Sequence, residues 1–313
     1  MNLKDLKVVF MGTPDFCVPI LDFIIKTYNC VGVVTQPDKE VGRKREIVFS
    51  PIKKKALEHN LKVLQPIKIR EEYEEVLNLN PDIIITCAYG QIVPSVILDY
   101  PKYGCINVHA SLLPELRGGA PIHKAIIYGL EKTGITIMYM DKGMDTGDMI
   151  SKVEIKIEDY DTAESLHDKL QKVSVPLLES TIPDIINGTN KREKQDPSKV
   201  TYAYNVSREE EHIDFNKTSK EIYNQIRGLN SWPGAYAILD DLNIKIWASK
   251  INDKVYDKEP GTIVNLDKTG LEVVTKDGSI LITELQIPGK RKMLINDFIN
   301  GSKKEDYLEK IFK

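Results

Sequence analysis

The run Asp82-Ile-Ile-Ile-Thr-Cys87 constrains this chain more than any other stretch. A strand that is apolar on both faces has to be covered on both, which is the situation of a parallel strand lying between two layers of helix. Val8-Val-Phe-Met11 and Val31-Gly-Val-Val-Thr35 have the same character, and residues 14–28 between them follow a helical period with Pro19 in the first turns. Strand, turn at Gly12, helix and strand read as the opening of an α/β fold, a doubly wound and mostly parallel sheet. In such a sheet ligands bind outside the carboxyl ends of the strands, so Ala88-Tyr-Gly-Gln91, which follows the apolar run, belongs to the crevice. A dinucleotide site is disfavoured, because its fingerprint needs three glycines and Gly12 stands alone; the turn then only closes the first strand onto its helix.

At 313 residues two domains are expected. Residues 1–188 form the α/β domain. Residues 189–207, polar and carrying Pro197, have the composition of a linker. Residues 208–313 hold a helix near 218–227 and then five short strand-like runs separated by turn residues, which points to a small β-barrel of the oligonucleotide-binding (OB-like) type. The net charge of -3 makes no global case for nucleic acid, so any such contact has to come from local basic clusters. Two clusters qualify: Arg43-Lys-Arg45 in a long loop after Gly42, and Lys290-Arg-Lys292 after Gly289; a bland surface loop remains an alternative for the second. The four cysteines show no metal-ligand spacing and read as buried free thiols of a reducing compartment. No run is long enough to cross a bilayer, and the first residues lack the pattern of a signal peptide, so the expected location is the cytoplasm.

The chemistry concentrates in residues 104–121. Cys105-Ile-Asn-Val is a short strand after Gly104, and residues two apart on a strand share a face, so Asn107 and His109 point the same way. Ser111-Leu-Leu-Pro114 is then an extended, Pro-stopped segment, and Arg117-Gly118-Gly119 exposes backbone before a helix starting near Pro121. An amide and an imidazole at a strand end can gather donors around a developing negative oxygen. Downstream, Asp141-Lys-Gly-Met-Asp145-Thr-Gly-Asp148 reads either as a cation-binding loop or as a loop folded over the crevice, although its spacing does not fit an EF-hand. Each residue has a plainer reading: His109 as a structural side chain, Asn107 as a loop cap, Asp145 as a partner for backbone donors, Gly90 as a strand-ending turn, Leu112 and Leu113 as core.

Asn107-Val-His109, Ser111-Leu-Leu-Pro114, Arg117-Gly118 and the 141–148 loop together resemble the formyltransferases that use 10-formyltetrahydrofolate. Gly12-Thr-Pro-Asp-Phe16, Gln36-Pro-Asp38, Ala88-Tyr-Gly90 and Asn230-Ser-Trp-Pro-Gly234 extend the resemblance over nearly the whole chain, in the order seen in members that formylate methionine carried by initiator tRNA. The resemblance implies that Asn107, His109 and Asp145 are catalytic, by direct attack of the amine with the oxyanion held by Asn107 and His109 and assisted by Asp145. It implies that Ser111, Leu112, Leu113, Pro114 and Gly90 meet the folate, and that Arg43, Lys44 and Arg45 meet tRNA; Lys290, Arg291 and Lys292 are candidates to track the tRNA backbone by their charge. A monomer is expected, with no metal at its site and no membrane partner. A formyltransferase acting on a sugar-nucleotide amine and a non-catalytic RNA-binding protein are the alternatives.

Overall fold

The computed structural model describes residues 3–42 and 45–313. The chain divides into two compact units. The first holds the residues up to Pro121 with Thr133–Ile155 and His167–Tyr204, and the second holds Ile122–Lys132, Lys156–Leu166 and Asn205–Lys313.

In the first unit the strands are β1 (Lys7–Gly12), β2 (Asn29–Val34), β3 (Lys39–Val41), β4 (Glu46–Val48), β5 (Val63–Leu64), β6 (Ile83–Cys87), β7 (Cys105–His109), β8 (Lys132–Tyr139) and β9 (Met149–Lys156). Seven of them form one sheet in the order β5-β2-β1-β6-β7-β8-β9, while β3 and β4 pair as a separate hairpin. β5, β2, β1, β6 and β7 are mutually parallel, and β8 returns antiparallel to β7. The run that constrained the fold is β6, whose Ile83, Ile84 and Ile85 are wholly buried. Burying a side chain of that size contributes roughly 1.5–3 kcal/mol, so β6 is an anchor of the sheet. Strand order reverses between β1 and β6, and the carboxyl ends of β6 and β7 lie side by side through the pairing of Thr86 with Asn107.

The 3-10 turn Asp15–Cys17 leads into the helix Val18–Thr27, with Pro19 in its first turn. The long helix Ala163–Asn187 opens just after Thr162. Thr162 and Ser165 exchange backbone-to-hydroxyl hydrogen bonds, while Asp161 is fully buried and accepts from the Glu158 amide (2.8 Å) and the Ser165 hydroxyl (2.8 Å). Cys17, Cys87 and Cys105 are buried and Cys30 half-buried, all as free thiols. Burial pushes Cys30 up to about 11 and Cys105 to about 12, so both stay protonated and unreactive.

Residues 189–204, expected as a linker, are part of the first unit. The Arg117 amide donates to the Thr201 carbonyl (2.9 Å), the Ala203 amide to the Arg117 carbonyl (2.7 Å) and the Ala120 amide to the Ala203 carbonyl (2.9 Å). Met149 and Glu193 form a second backbone clip.

The second unit carries β10 (Ala235–Leu239), β11 (Leu242–Asn252), β12 (Ile263–Asp267), β13 (Gly270–Val274), β14 (Ser279–Gln286) and β15 (Met293–Leu294). Their order is β10-β11-β14-β13-β12, with β15 on β14. Residues 310–313 bridge the two edges. Ile263 on β12 donates to the Lys310 carbonyl (2.8 Å), and Ile238 on β10 exchanges two bonds of 2.8 Å with Lys313. The antiparallel sheet thereby curls into a small barrel-like body, its edges covered rather than left open. Thr218 caps the helix Ser219–Gly228 through a reciprocal box with Glu221, and Ile222 and Ile226 drive it into the barrel core. Among the described residues no helix is long and apolar enough to cross a membrane.

Candidate active site

β7 delivers two polar side chains to the carboxyl edge of the sheet. Asn107 is half-buried and its Oδ1 accepts from Thr86 Oγ1 (2.9 Å), a hydroxyl that also lies 3.1 Å from the Ile106 carbonyl. That contact fixes the amide, so Nδ2 faces the Asp145 carboxylate, 3.5 Å from Oδ1. His109 is 6% exposed, with Nε2 3.1 Å from the Leu116 carbonyl. A carbonyl only accepts, so the neutral ring carries its proton on Nε2. Nδ1 is left facing Asp145 Oδ2 at 3.8 Å, within ion-pair distance but beyond a hydrogen bond. Asp145 thus stands between Asn107 and His109, and the three side chains the sequence singled out meet at one place.

Asp145 is held from two more directions besides Asn107. Its φ of +54° places it in the left-handed region, and its Oδ2 accepts from the Gly118 amide (2.9 Å). Gly118 has φ +120°, and a Cβ there would fall 2.8 Å from the Ala203 carbonyl oxygen, so glycine is what lets this amide reach the carboxylate. The third hold comes from Gln195, whose Nε2 donates to the carbonyls of Asp145 (2.8 Å) and Gly147 (2.9 Å). Its Oε1 in turn accepts from Arg117 Nε (3.0 Å) and Nη2 (2.7 Å), with Arg117 itself buried. Sequence reasoning missed Gln195. It lies in the polar segment read as a linker, fifty residues from the loop it holds, and only the tertiary fold brings the two together.

The other aspartates of the loop have separate partners. Asp141 accepts from the Gly143 amide (3.0 Å) and the Thr146 hydroxyl, while Asp148 accepts from Arg192 Nε (3.0 Å). These carboxylates hold the loop together, consistent with its reading as a fold over the crevice. Gly147 sits where a Cβ would fall 1.9 Å from the Tyr139 carbonyl oxygen, which pins the loop against the end of β8.

In residues 111–114 the backbone is largely engaged within the protein. Thr136 Oγ1 donates to the Ser111 carbonyl (2.7 Å) and accepts from the Leu113 amide (3.1 Å). Lys152 Nζ lies 3.3 Å from the Leu113 carbonyl, the Glu115 amide donates to the Leu112 carbonyl (3.2 Å), and Ser111 Oγ donates to the Glu115 carbonyl (2.6 Å). The Leu113 proton is therefore spent, although each carbonyl keeps a second lone pair. Leu113 is buried with Met138 and Met149, while Leu112 and Pro114 are half-buried. Gly90 is exposed after β6 with φ +90°, and the Gln36 amide lies over it, donating to the Tyr89 carbonyl (2.9 Å).

Arg43 and Lys44 lie outside the described residues. Arg45 is exposed in the turn between β3 and β4, 3.8 Å from Glu40. The base of that hairpin is fixed by Asp38, which takes Lys53 Nζ at 2.5 Å and Gln65 Nε2 at 2.9 Å. Lys290, Arg291 and Lys292 are exposed in the second unit, with Lys292 paired to Glu284 (3.0 Å) and set over the ring of Trp247.

Residues 6–182 match the formyl transferase family and residues 205–303 the formyl transferase C-terminal domain. A methionyl-tRNA formyltransferase of Bacillus subtilis is 55% identical over 300 residues, 95% of each chain. Among solved structures, an N-formyltransferase from Helicobacter canadensis in complex with folinic acid and dTDP-3-aminofucose superposes with a TM-score of 0.65 at 23% identity, covering 88% of this chain and 98% of that one. A methionyl-tRNA formyltransferase from Clostridium thermocellum superposes with a TM-score of 0.57 at 20% identity, covering 79% and 94%.

Proposed function

This chain belongs to the formyl transferase family, and we propose that it carries the formyl group of 10-formyltetrahydrofolate to the amino group of methionine on initiator tRNA. The near-full-length identity to methionyl-tRNA formyltransferases supports the acceptor, and the meeting of Asn107, His109 and Asp145 supports the chemistry.

The incoming amine is itself the nucleophile, so no covalent enzyme intermediate is needed. Its attack on the formyl carbon forms one C–N bond and places negative charge on the formyl oxygen. Collapse breaks the bond to the folate nitrogen, which takes up the proton that the amine gives away. Asn107 Nδ2, oriented by Thr86, donates to the oxyanion as a neutral amide. His109 acts through Nδ1, because Nε2 is committed to Leu116; donation from Nδ1 needs the imidazolium form, with the Asp145 carboxylate 3.8 Å away. Asp145 also receives the amine proton, directly or through water, and returns it to the leaving nitrogen.

The folate lies against residues 111–114 and Gly90, with Leu112 and Pro114 offering contact and the carbonyls their second lone pairs. Arg43, Lys44 and Arg45 on one unit and Lys290, Arg291 and Lys292 on the other meet tRNA phosphates or splayed bases, and the enzyme works as a cytoplasmic monomer. Incubation with 10-formyltetrahydrofolate labelled in the formyl carbon, offered charged initiator tRNA in one arm and amino-sugar nucleotides in another, decides the acceptor. Label in the sugar alone would replace this reading, and label in neither would remove the catalytic one.

A further inference from the structure

Tyr202 and Tyr204 have their rings stacked in parallel, 2° apart in plane with centroids 5.4 Å apart, and both are open to solvent at 44% and 62% exposure. Large apolar faces left outward in this way ask for an explanation. The cause of the geometry is local. Residues 201–204 are extended, the wholly buried Ala203 points inward, and its neighbours on either side share the outer face. The segment is also fixed, clipped to Arg117 and Ala120 by three backbone hydrogen bonds of 2.7–2.9 Å. The same clip runs into the reaction centre, because Gly118, between those two residues, donates its amide to Asp145, and a Cβ on Gly118 would lie 3.6 Å from the Tyr204 amide nitrogen.

We propose that Tyr202 and Tyr204 form a stacking platform for a nucleobase at the single-stranded 3′ end of the charged tRNA, an inference that rests on the function proposed above. An aminoacyl amine can reach Asp145 only if the unpaired end of the RNA that carries it passes beside the site. Proteins hold unpaired nucleotides by stacking bases on aromatic rings, a contact that tolerates any base and costs little ordering when the rings are already in place. Tyr202 and Tyr204 are such rings, pre-stacked on a fixed backbone one hydrogen-bonded step from the carboxylate.

The test uses the full chain and initiator tRNA with 2-aminopurine replacing its 3′-terminal adenine. The wild-type protein should quench the 2-aminopurine on binding. Y202A/Y204A should lose most of the quench and bind about tenfold more weakly, whereas Y202F/Y204F, which keeps the rings, should retain both. If Y202A/Y204A does not fold by circular dichroism, Y204A alone carries the test, since that side chain is largely exposed. Quench and affinity unchanged in the alanine variant would overturn the platform, as would Phe variants as damaged as Ala ones. A raised KM for 10-formyltetrahydrofolate with tRNA binding intact would reassign the pair to folate, and loosened selection for methionine with the quench intact would reassign it to the amino acid. Quenching by a protein that formylates no tRNA would uphold the platform as an RNA contact while refuting the catalytic reading.

Discussion

Replacing His109 or Asp145 by alanine is expected to lower kcat for formyl transfer by about 10²- to 10⁴-fold while folate binding, followed by calorimetry, persists. Near-normal turnover would take either residue out of the mechanism. Gln195 makes a subtler case, because it touches no reacting atom and acts by holding the carbonyls of Asp145 and Gly147. Gln195→Met keeps the length of the side chain and removes its polar ends, and kcat should fall by roughly 10- to 100-fold through displacement of the loop. The same change in an Asp145→Ala background should cost far less, since positioning has no value once its object is gone. Additive losses in the double variant would show that Gln195 only stabilises the fold. The pairing of Asn107 with His109 was legible from strand periodicity and Asp145 from family resemblance. The choice of His109 tautomer was not, because it is set by the Leu116 carbonyl, whose position depends on how residues 110–116 turn back.

At the level of elements, the central strands of the first unit were readable because they are apolar enough to need burial on both faces, as β6 shows, whereas the β3–β4 hairpin, whose second strand is wholly exposed, carries no such run and reads as a loop. The turn chemistry was less so. At the start of the long helix two polar residues compete for the cap: Thr162 pairs reciprocally with Ser165, and Asp161 lies buried, accepting from the Glu158 amide. The ion pair of Lys53 with Asp38 is one that only the fold creates. Hydrogen bonds from Lys53 and then Gln65, with the charge of Lys53, hold the Asp38 carboxyl below its ordinary range. A carboxyl depressed by folding contributes stability that is complete above its unfolded value, about 4, and lost as pH falls through the lower folded value. The melting temperature of Asp38→Asn should therefore lie below that of the wild type at pH 7, and the gap should close as the pH is lowered past the ordinary carboxylate range. A gap that stays constant with pH would mean that the pair does not secure the β3–β4 hairpin.

For the molecule as a whole, a net charge of -3 means that affinity for a polyanion has to come from a few local contacts, and such contacts leave a signature in salt. Reversing the charges of Lys290, Arg291 and Lys292 should weaken tRNA binding and reduce the slope of log K against log salt by about 0.7–0.9 for every phosphate that is no longer neutralised. An unchanged slope would remove that cluster from the interface. Turnover should also survive EDTA once magnesium needed by the tRNA itself is controlled for, and a loss restored only by a metal acting on the protein would sink the metal-free scheme. The two-part organisation could be read from the change in pattern beyond residue 207, where short strands replace long alternations of strand and helix. The role of residues 189–204 could not, because polarity and a proline describe a segment's solubility and say nothing of what it grips.

That grip bears on how the enzyme can be broken. A protease that cut between residues 189 and 204 would remove none of Asn107, His109 or Asp145, yet it would unfasten the strap that keeps Arg117, Gly118 and the 141–148 loop in register. Nicked protein could then be intact in every catalytic side chain and still be idle, and a fragment meant to retain the chemistry would have to extend to Tyr204.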